Sequence, residues 1–198
     1  MQKNLILKMM TIEDDIRNSI KILKDGGVIL YPTDTLWGLG CDATSSVAIE
    51  KIIKIKTRNE SKGFILLVNG VAMLERYVRD VPRTAYELTG VSESPLTIIY
   101  PEGKNLAPGV CNADGSVAIR ICNEEFCNEL IGRFRKPVVS TSANISGMSS
   151  PANFSEISQD IIRSADYVVK YRQNDRRKFS ASPVIKVEKN GVFTIIRM

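Results

Sequence analysis

Apolar residues in this chain fall into short unbroken runs, separated by stretches where they recur every third or fourth position. That alternation predicts buried strands joined by amphipathic helices. Thr11 is placed to cap a helix with Glu13, Asp14 and Asp15 in its first turn, Ile12, Ile16, Ile20 and Leu23 on one stripe, and Gly26-Gly27 as its stop. A strand over residues 28–31 follows. Residues 47–55 read as a second helix, with Val47, Ile49, Ile52, Ile53 and Ile55 inward and Lys51 and Lys54 outward. Residues 64–68 are too short and too uniformly apolar for a helix and predict a buried strand. The same reasoning gives helices over 71–77, 82–88, 124–134 and 155–164, and strands over 96–100, 117–121, 137–141 and 167–169. Asn190-Gly191 is a hairpin signal between strands 184–188 and 192–197. Strands alternating with helices, closed by a hairpin, predict an α/β fold: a single domain over residues 1–198 built on a twisted, mixed β-sheet flanked by helices.

Composition narrows the chemistry. At 198 residues and 43% hydrophobic content there is material for one substantial core. A net charge of +5 and a pI near 9.0 lean toward polyanionic partners such as nucleotides or RNA. The chain has no histidine, and Cys41, Cys111, Cys122 and Cys127 show no CxxC spacing. Structural zinc, a Ser-His-Asp triad and a Cys-His pair therefore lose their usual parts. The cysteines read as small buried apolar side chains in a reducing compartment. Apolar runs are too short for a signal peptide or a membrane helix, so a cytoplasmic protein with no membrane partner is expected.

Polar residues gather where strands end. Thr33, Asp34 and Thr35 follow the first strand, where the hydroxyls either cap a plain turn or donate to a ligand's oxygens. Gly38 to Ala43 matches GxGxxA, but it lies six residues beyond the strand and lacks an acid at the next strand end, so a dinucleotide site is not supported. Lys56, Arg58 and Lys62 flank a helix end, where cations either complement the helix dipole or form one wall of an anion site. Arg120 interrupts an apolar strand and must reach solvent or a polar cleft. Ser140, Ser142 and Asn144 alternate along an extended segment and share one face. The run from 170 to 178 reads as a solvated basic loop, with a lid or an RNA contact as alternatives. Four polar segments at strand ends are better explained by a ligand crevice than by separate loops. Fixed cations and oriented donors suit transfer at phosphorus, and no GxxxxGK[ST] loop is present.

Taken together, PTDTLWGLGCDA, the KxR of Lys56-Thr57-Arg58, SPLTIIY, LAPGV, GSVAIRI and the SxN of Ser142-Ala143-Asn144 resemble the threonylcarbamoyl-adenylate synthase family, the YrdC-like proteins, in its short single-domain form. The resemblance implies a twisted α/β fold around a central positively charged cavity. It implies that L-threonine, bicarbonate or carbon dioxide, and ATP with Mg2+ give threonylcarbamoyl-AMP and pyrophosphate. Downstream threonylcarbamoyl-transferase proteins then modify the adenosine beside the tRNA anticodon. By position, Lys56, Arg58, Ser142 and Asn144 match the tetrad that holds ATP phosphates and supports catalysis, with Lys62 and Ser116 as further nucleotide contacts. Thr33, Thr35, Arg120, Ser140 and Ser182 fall on the threonine side. No protein-built metal cage is implied. The alternative is a non-catalytic RNA-binding or ribosome-maturation protein whose basic crevice holds tRNA or double-stranded RNA, although only 7% of residues are aromatic and few lie near the cations.

Overall fold

A computed structural model describes residues 2–57 and 63–198, with side chains from residue 12 onward. Its helices are α1 (Gln2–Lys24), α2 (Ser46–Lys56), α3 (Val71–Tyr77), α4 (Arg83–Val91), α5 (Glu125–Phe134) and α6 (Gln159–Ser164). Its strands are β1 (Ile29–Tyr31), β2 (Gly38–Gly40), β3 (Ile65–Val68), β4 (Thr97–Tyr100), β5 (Val117–Ile121), β6 (Val138–Ser142), β7 (Tyr167–Val168), β8 (Val184–Val187) and β9 (Phe193–Arg197). Among the described residues these strands form one mixed sheet in the order β7-β1-β2-β6-β3-β5-β4-β8-β9. The pairs β1/β7, β3/β5 and β4/β8 are parallel, and the remaining neighbours are antiparallel. The expected α/β class and terminal hairpin are both present.

Local signals misled in four places. Thr11 lies inside α1 and does not begin it, because the 2–10 segment is itself helical. Asp15, expected in an exposed first turn, is instead buried and accepts bonds from the Tyr167 hydroxyl at 2.6 Å and from the Lys170 and Tyr171 amides at 3.0 and 2.8 Å. Val47 sits at the start of α2 at 62% exposure, while Ala48, Ile49 and Ile52 supply the buried stripe. The predicted helix over 155–164 divides into a 3-10 turn, Phe154–Glu156, and α6, since the Ser158 side chain accepts from the Ile161 amide and starts a new helix.

Strand β2 has no apolar alternation to announce it. Its glycines serve close packing: a Cβ at Gly40 would lie 2.5 Å from Tyr31 Cε1 and 2.8 Å from the Val139 carbonyl. The Tyr31 ring is fully buried there, and its hydroxyl donates to Val139 O at 3.0 Å. GxGxxA is thus a packing device in a strand. Cys41, Cys122 and Cys127 are buried, Cys111 is half-buried, and all are free thiols. At the sheet's edge every residue of β9 is exposed, including Phe193, Ile195 and Ile196. Among the described residues no helix is long and apolar enough to cross a membrane.

Candidate functional site

Sheet register decides which side chains meet. Arg120 on β5 stands opposite Thr97 on β4, Ser140 on β6 opposite Ile65 on β3, and Ser142 opposite Gly38 on β2. Partners in register project to the same face, so Thr97, Arg120, Ser140 and Ser142 share one face near the ends of their strands. A cavity of about 240 Å3 opens there, lined by Thr35, Arg120, Ser140, Ser142, Ser182 and Arg197, among others. The alternate side chains Ile98, Tyr100, Ile119 and Ile121 face the opposite side, where they floor a second cavity of about 500 Å3.

Arg120 is 3% exposed and is held by the turn that follows β1. Its Nη2 lies 2.8 Å from Asp34 Oδ1, donates to Thr35 Oγ1 at 3.0 Å and reaches Thr33 Oγ1 at 3.5 Å. Nη1 donates to Ser182 Oγ at 3.4 Å. The Ser182 hydroxyl is 2.7 Å from that of Thr97, and its carbonyl accepts from Arg197 Nε and Nη2 at 3.1 and 2.7 Å. Thr33 sets the shape of the turn: its hydroxyl donates to Leu36 O at 2.7 Å, and its oxygen accepts the Thr35 amide at 3.1 Å. The turn is therefore not a plain one. Its hydroxyls and carboxylate all face a single buried guanidinium.

The nucleotide-side candidates sit beside this cavity. Lys56, the last residue of α2, is 2% exposed, and its ammonium donates to Ser142 O and Asn144 O, both at 2.6 Å. The Ser146 amide returns to Lys56 O at 3.0 Å. Asn144 donates to Ile145 O and Met148 O at 3.0 and 2.6 Å, which fixes the turn after β6. Lys56 thus meets the backbone of Ser142 and Asn144. Arg58 and Lys62 lie outside the described residues. Ser116 is buried just before β5, bonded to Asp114 and to Asn112, and Asn112 in turn accepts the Gly63 amide at 3.0 Å. It touches the cavity wall through that relay and does not line the cavity.

Sequence patterns missed three participants. Asp34 read only as turn chemistry, yet it is the carboxylate paired with Arg120. Arg197 lay in an unremarkable strand and reaches the cavity through its pairing with Ser182. Arg172 read as part of a solvated basic run, but it is 12% exposed and donates to Thr33 O at 2.9 Å, with Glu124 at 3.5 Å and the Phe179 ring 4.8 Å away. Burial raises the Glu124 carboxyl above its usual range, and the Cys127 amide and Arg172 pull it back down. Cys127 donates its thiol hydrogen to Pro32 O at 3.1 Å, and burial holds that thiol well above its usual range. It is a packing group and no candidate nucleophile.

A family model described as Sua5_yciO_yrdC, telomere recombination, matches residues 21–198. A threonylcarbamoyl-AMP synthase of Psychromonas ingrahamii is 35% identical over 150 residues, covering 74% of this chain and 78% of that protein. The protein of the same name from Vibrio cholerae is 34% identical over 151 residues, covering 75% and 80%. Among solved structures, E. coli YciO superposes with a TM-score of 0.79 at 22% identity, covering 92% of this chain and 87% of its own. P. abyssi Sua5 complexed with L-threonine superposes with a TM-score of 0.78 at 24% identity, covering 87% of this chain. This chain spans about half of the length of that Sua5, 50%. At these identities the two structures speak for the fold.

Proposed function

The chain belongs to the Sua5/YciO/YrdC family, and on that premise we propose that it is an L-threonylcarbamoyladenylate synthase, joining L-threonine, bicarbonate or carbon dioxide, and ATP into threonylcarbamoyl-AMP and pyrophosphate. One observation carries this reading: Arg120, Thr35, Ser140 and Ser182 converge on one cavity whose rim continues at Ser142 to Lys56 and Asn144. An amino-acid end and a phosphate end then lie within one substrate's reach. On the first, the Arg120 guanidinium meets the threonine carboxylate, and the hydroxyls of Thr35, Ser140 and Ser182, shaped by Thr33, orient the rest. On the second, Lys56, Arg58 and Lys62 neutralise the phosphates and Ser142 and Asn144 hydrogen-bond them, with Ser116 supporting the wall.

The chemistry balances without a protein nucleophile. Threonine's neutral amine adds to carbon dioxide, forming an N–C bond and releasing a proton to solvent. A carbamate oxygen then attacks the α-phosphorus, and the bond to pyrophosphate breaks. Positioning and fixed charge do most of the work in such a transfer. Magnesium would enter as a companion of ATP, held mainly by the nucleotide's phosphate oxygens. The product would serve threonylcarbamoyl-transfer proteins that modify tRNA in the cytoplasm. An RNA-holding role has less support, because Trp37, the one tryptophan lining the cavity, is 3% exposed and packed against Phe154 at 4.8 Å, where it cannot stack on a base.

The test is pyrophosphate release with ATP, bicarbonate and L-threonine, alongside L-serine and no-amino-acid controls. Release that ignores threonine ends the reading. Arg58→Ala is expected mainly to raise the KM for ATP and Arg120→Ala mainly that for threonine, each by roughly tenfold or more, as losing a charge-assisted hydrogen bond requires. Equal, small changes in both would remove the proposed division of roles.

A further inference from the structure

Asp34 has no part in the reaction as written, yet its carboxylate is the charged group placed against the buried guanidinium at the amino-acid end of the site. We infer that Asp34 is the positioning residue for Arg120, and so sets the affinity for the amino-acid substrate; the inference rests on the synthase reading above. The geometry of the guanidinium carries it. Nη2 is crowded, with Asp34 Oδ1 at 2.8 Å, Thr35 Oγ1 at 3.0 Å and Thr33 Oγ1 at 3.5 Å. Nη1 has one long bond, to Ser182, and Nε is buried with no hydrogen-bond partner among the described residues. Arg120 is therefore gripped at Nη2, while Nη1, with its single long bond, is the donor left for a carboxylate.

Asp34 supplies a particular kind of grip. Its Oδ1 lies close to Nη2 but makes no aligned hydrogen bond, so the attraction is between charges and the threonine hydroxyls supply direction. Both partners are largely removed from water, at 3% and 12% side-chain exposure, where an uncompensated charge would be costly. The turn holding Asp34 is braced from behind by Arg172, through Thr33 O, and by the Cys127 thiol, through Pro32 O. Asp34 and Arg172 both line the cavity on the opposite face of the sheet. The ion pair is thus a partition between two cavities, with the arginine facing the substrate side and the aspartate facing away from it.

The test uses Asp34→Asn, which keeps the shape and removes the charge. L-threonine binding to the wild-type protein is measured first by calorimetry; its absence would take down the synthase reading and this inference with it. Given binding, Asp34→Asn is expected to weaken threonine affinity and raise its KM by roughly tenfold, while the KM for ATP stays within about twofold. A purely structural role would lower the melting temperature without separating the two substrates. Unchanged threonine affinity, or equal rises in both KM values, overturns the inference. So does tighter threonine binding, which would make Asp34 a competitor for Arg120. Should Asp34→Asn fail to fold, Arg172→Met loosens the same turn without touching the ion pair, and the same threonine-selective loss is expected; its absence there overturns the inference equally.

Discussion

Exchanging Lys56 for methionine is expected to remove about 3 kcal/mol of folding stability, the loss from two half-buried carbonyls deprived of a charged donor. It is also expected to weaken ATP binding by roughly a hundredfold. The ammonium sits at the C-terminal end of α2, where the helix dipole favours a cation, and it bridges that helix to the Ser142 and Asn144 carbonyls at 2.6 Å each. Methionine fills much of the stem's volume and offers no donor, so the packing is retained and the hydrogen bonds are lost. Both carbonyls belong to the turn after β6, which the Ser146 amide ties back to Lys56 O at 3.0 Å. With the ammonium gone, the turn that presents Asn144 has lost its main anchor to α2. Denaturant midpoints with an unchanged m-value would report the stability loss, and calorimetry with ATP the binding loss. A folded variant within about 1 kcal/mol of wild type that still binds ATP normally would leave Lys56 neither role.

Gly40→Ala is expected to cost about 3 kcal/mol or more, the upper end of what overpacking a filled site does. The added Cβ meets Tyr31 Cε1 at 2.5 Å and Val139 O at 2.8 Å, and neither can step aside. Tyr31 is fully buried and bonded through its hydroxyl to that same Val139 carbonyl, while Val139 belongs to the central strand β6. The clash account makes a second demand. Combining Gly40→Ala with Tyr31→Leu should cost less than the sum of the two single changes, because the smaller side chain vacates the contested space. Strict additivity would rule out the clash. A loss confined to nucleotide affinity, with stability intact, would return the glycines to the phosphate-loop role that their spacing imitates.

How far the fold could be read without coordinates depended on whether a segment's neighbours are near in sequence. A run such as Ile65–Val68 declares itself because burial on both faces favours an unbroken apolar stretch. Gly38–Gly40 does not, since its strand character comes from Tyr31 and from β6 and not from its own propensity. The predicted helix over 155–164 runs across Ser158, whose hydroxyl caps a separate helix and is the better signal. In the site, Thr35, Arg120, Ser140 and Ser142 could be picked out by residue type at strand ends and Ser182 only through the family resemblance, and all five line one cavity. Arg172 and Asp34 could not. A charge run looks solvated and an aspartate in a turn looks ordinary until a distant partner, Thr33 O for one and Arg120 for the other, is brought alongside.

The cavity's walls come from Thr35 near one end of the chain and from Ser182 and Arg197 near the other, and Asp15 of α1 is bonded to the backbone at Lys170 and Tyr171. Such contacts carry a large loop-closure penalty that local helices never face, and they form late. During synthesis the α2 end and the β6 turn can meet before β8 and β9 have emerged. The amino-acid end cannot exist before β8 and β9 have docked beside β4. Substrate competence should therefore lag behind the burst of helix formation in a refolding experiment, with the two ends of the site maturing in sequence.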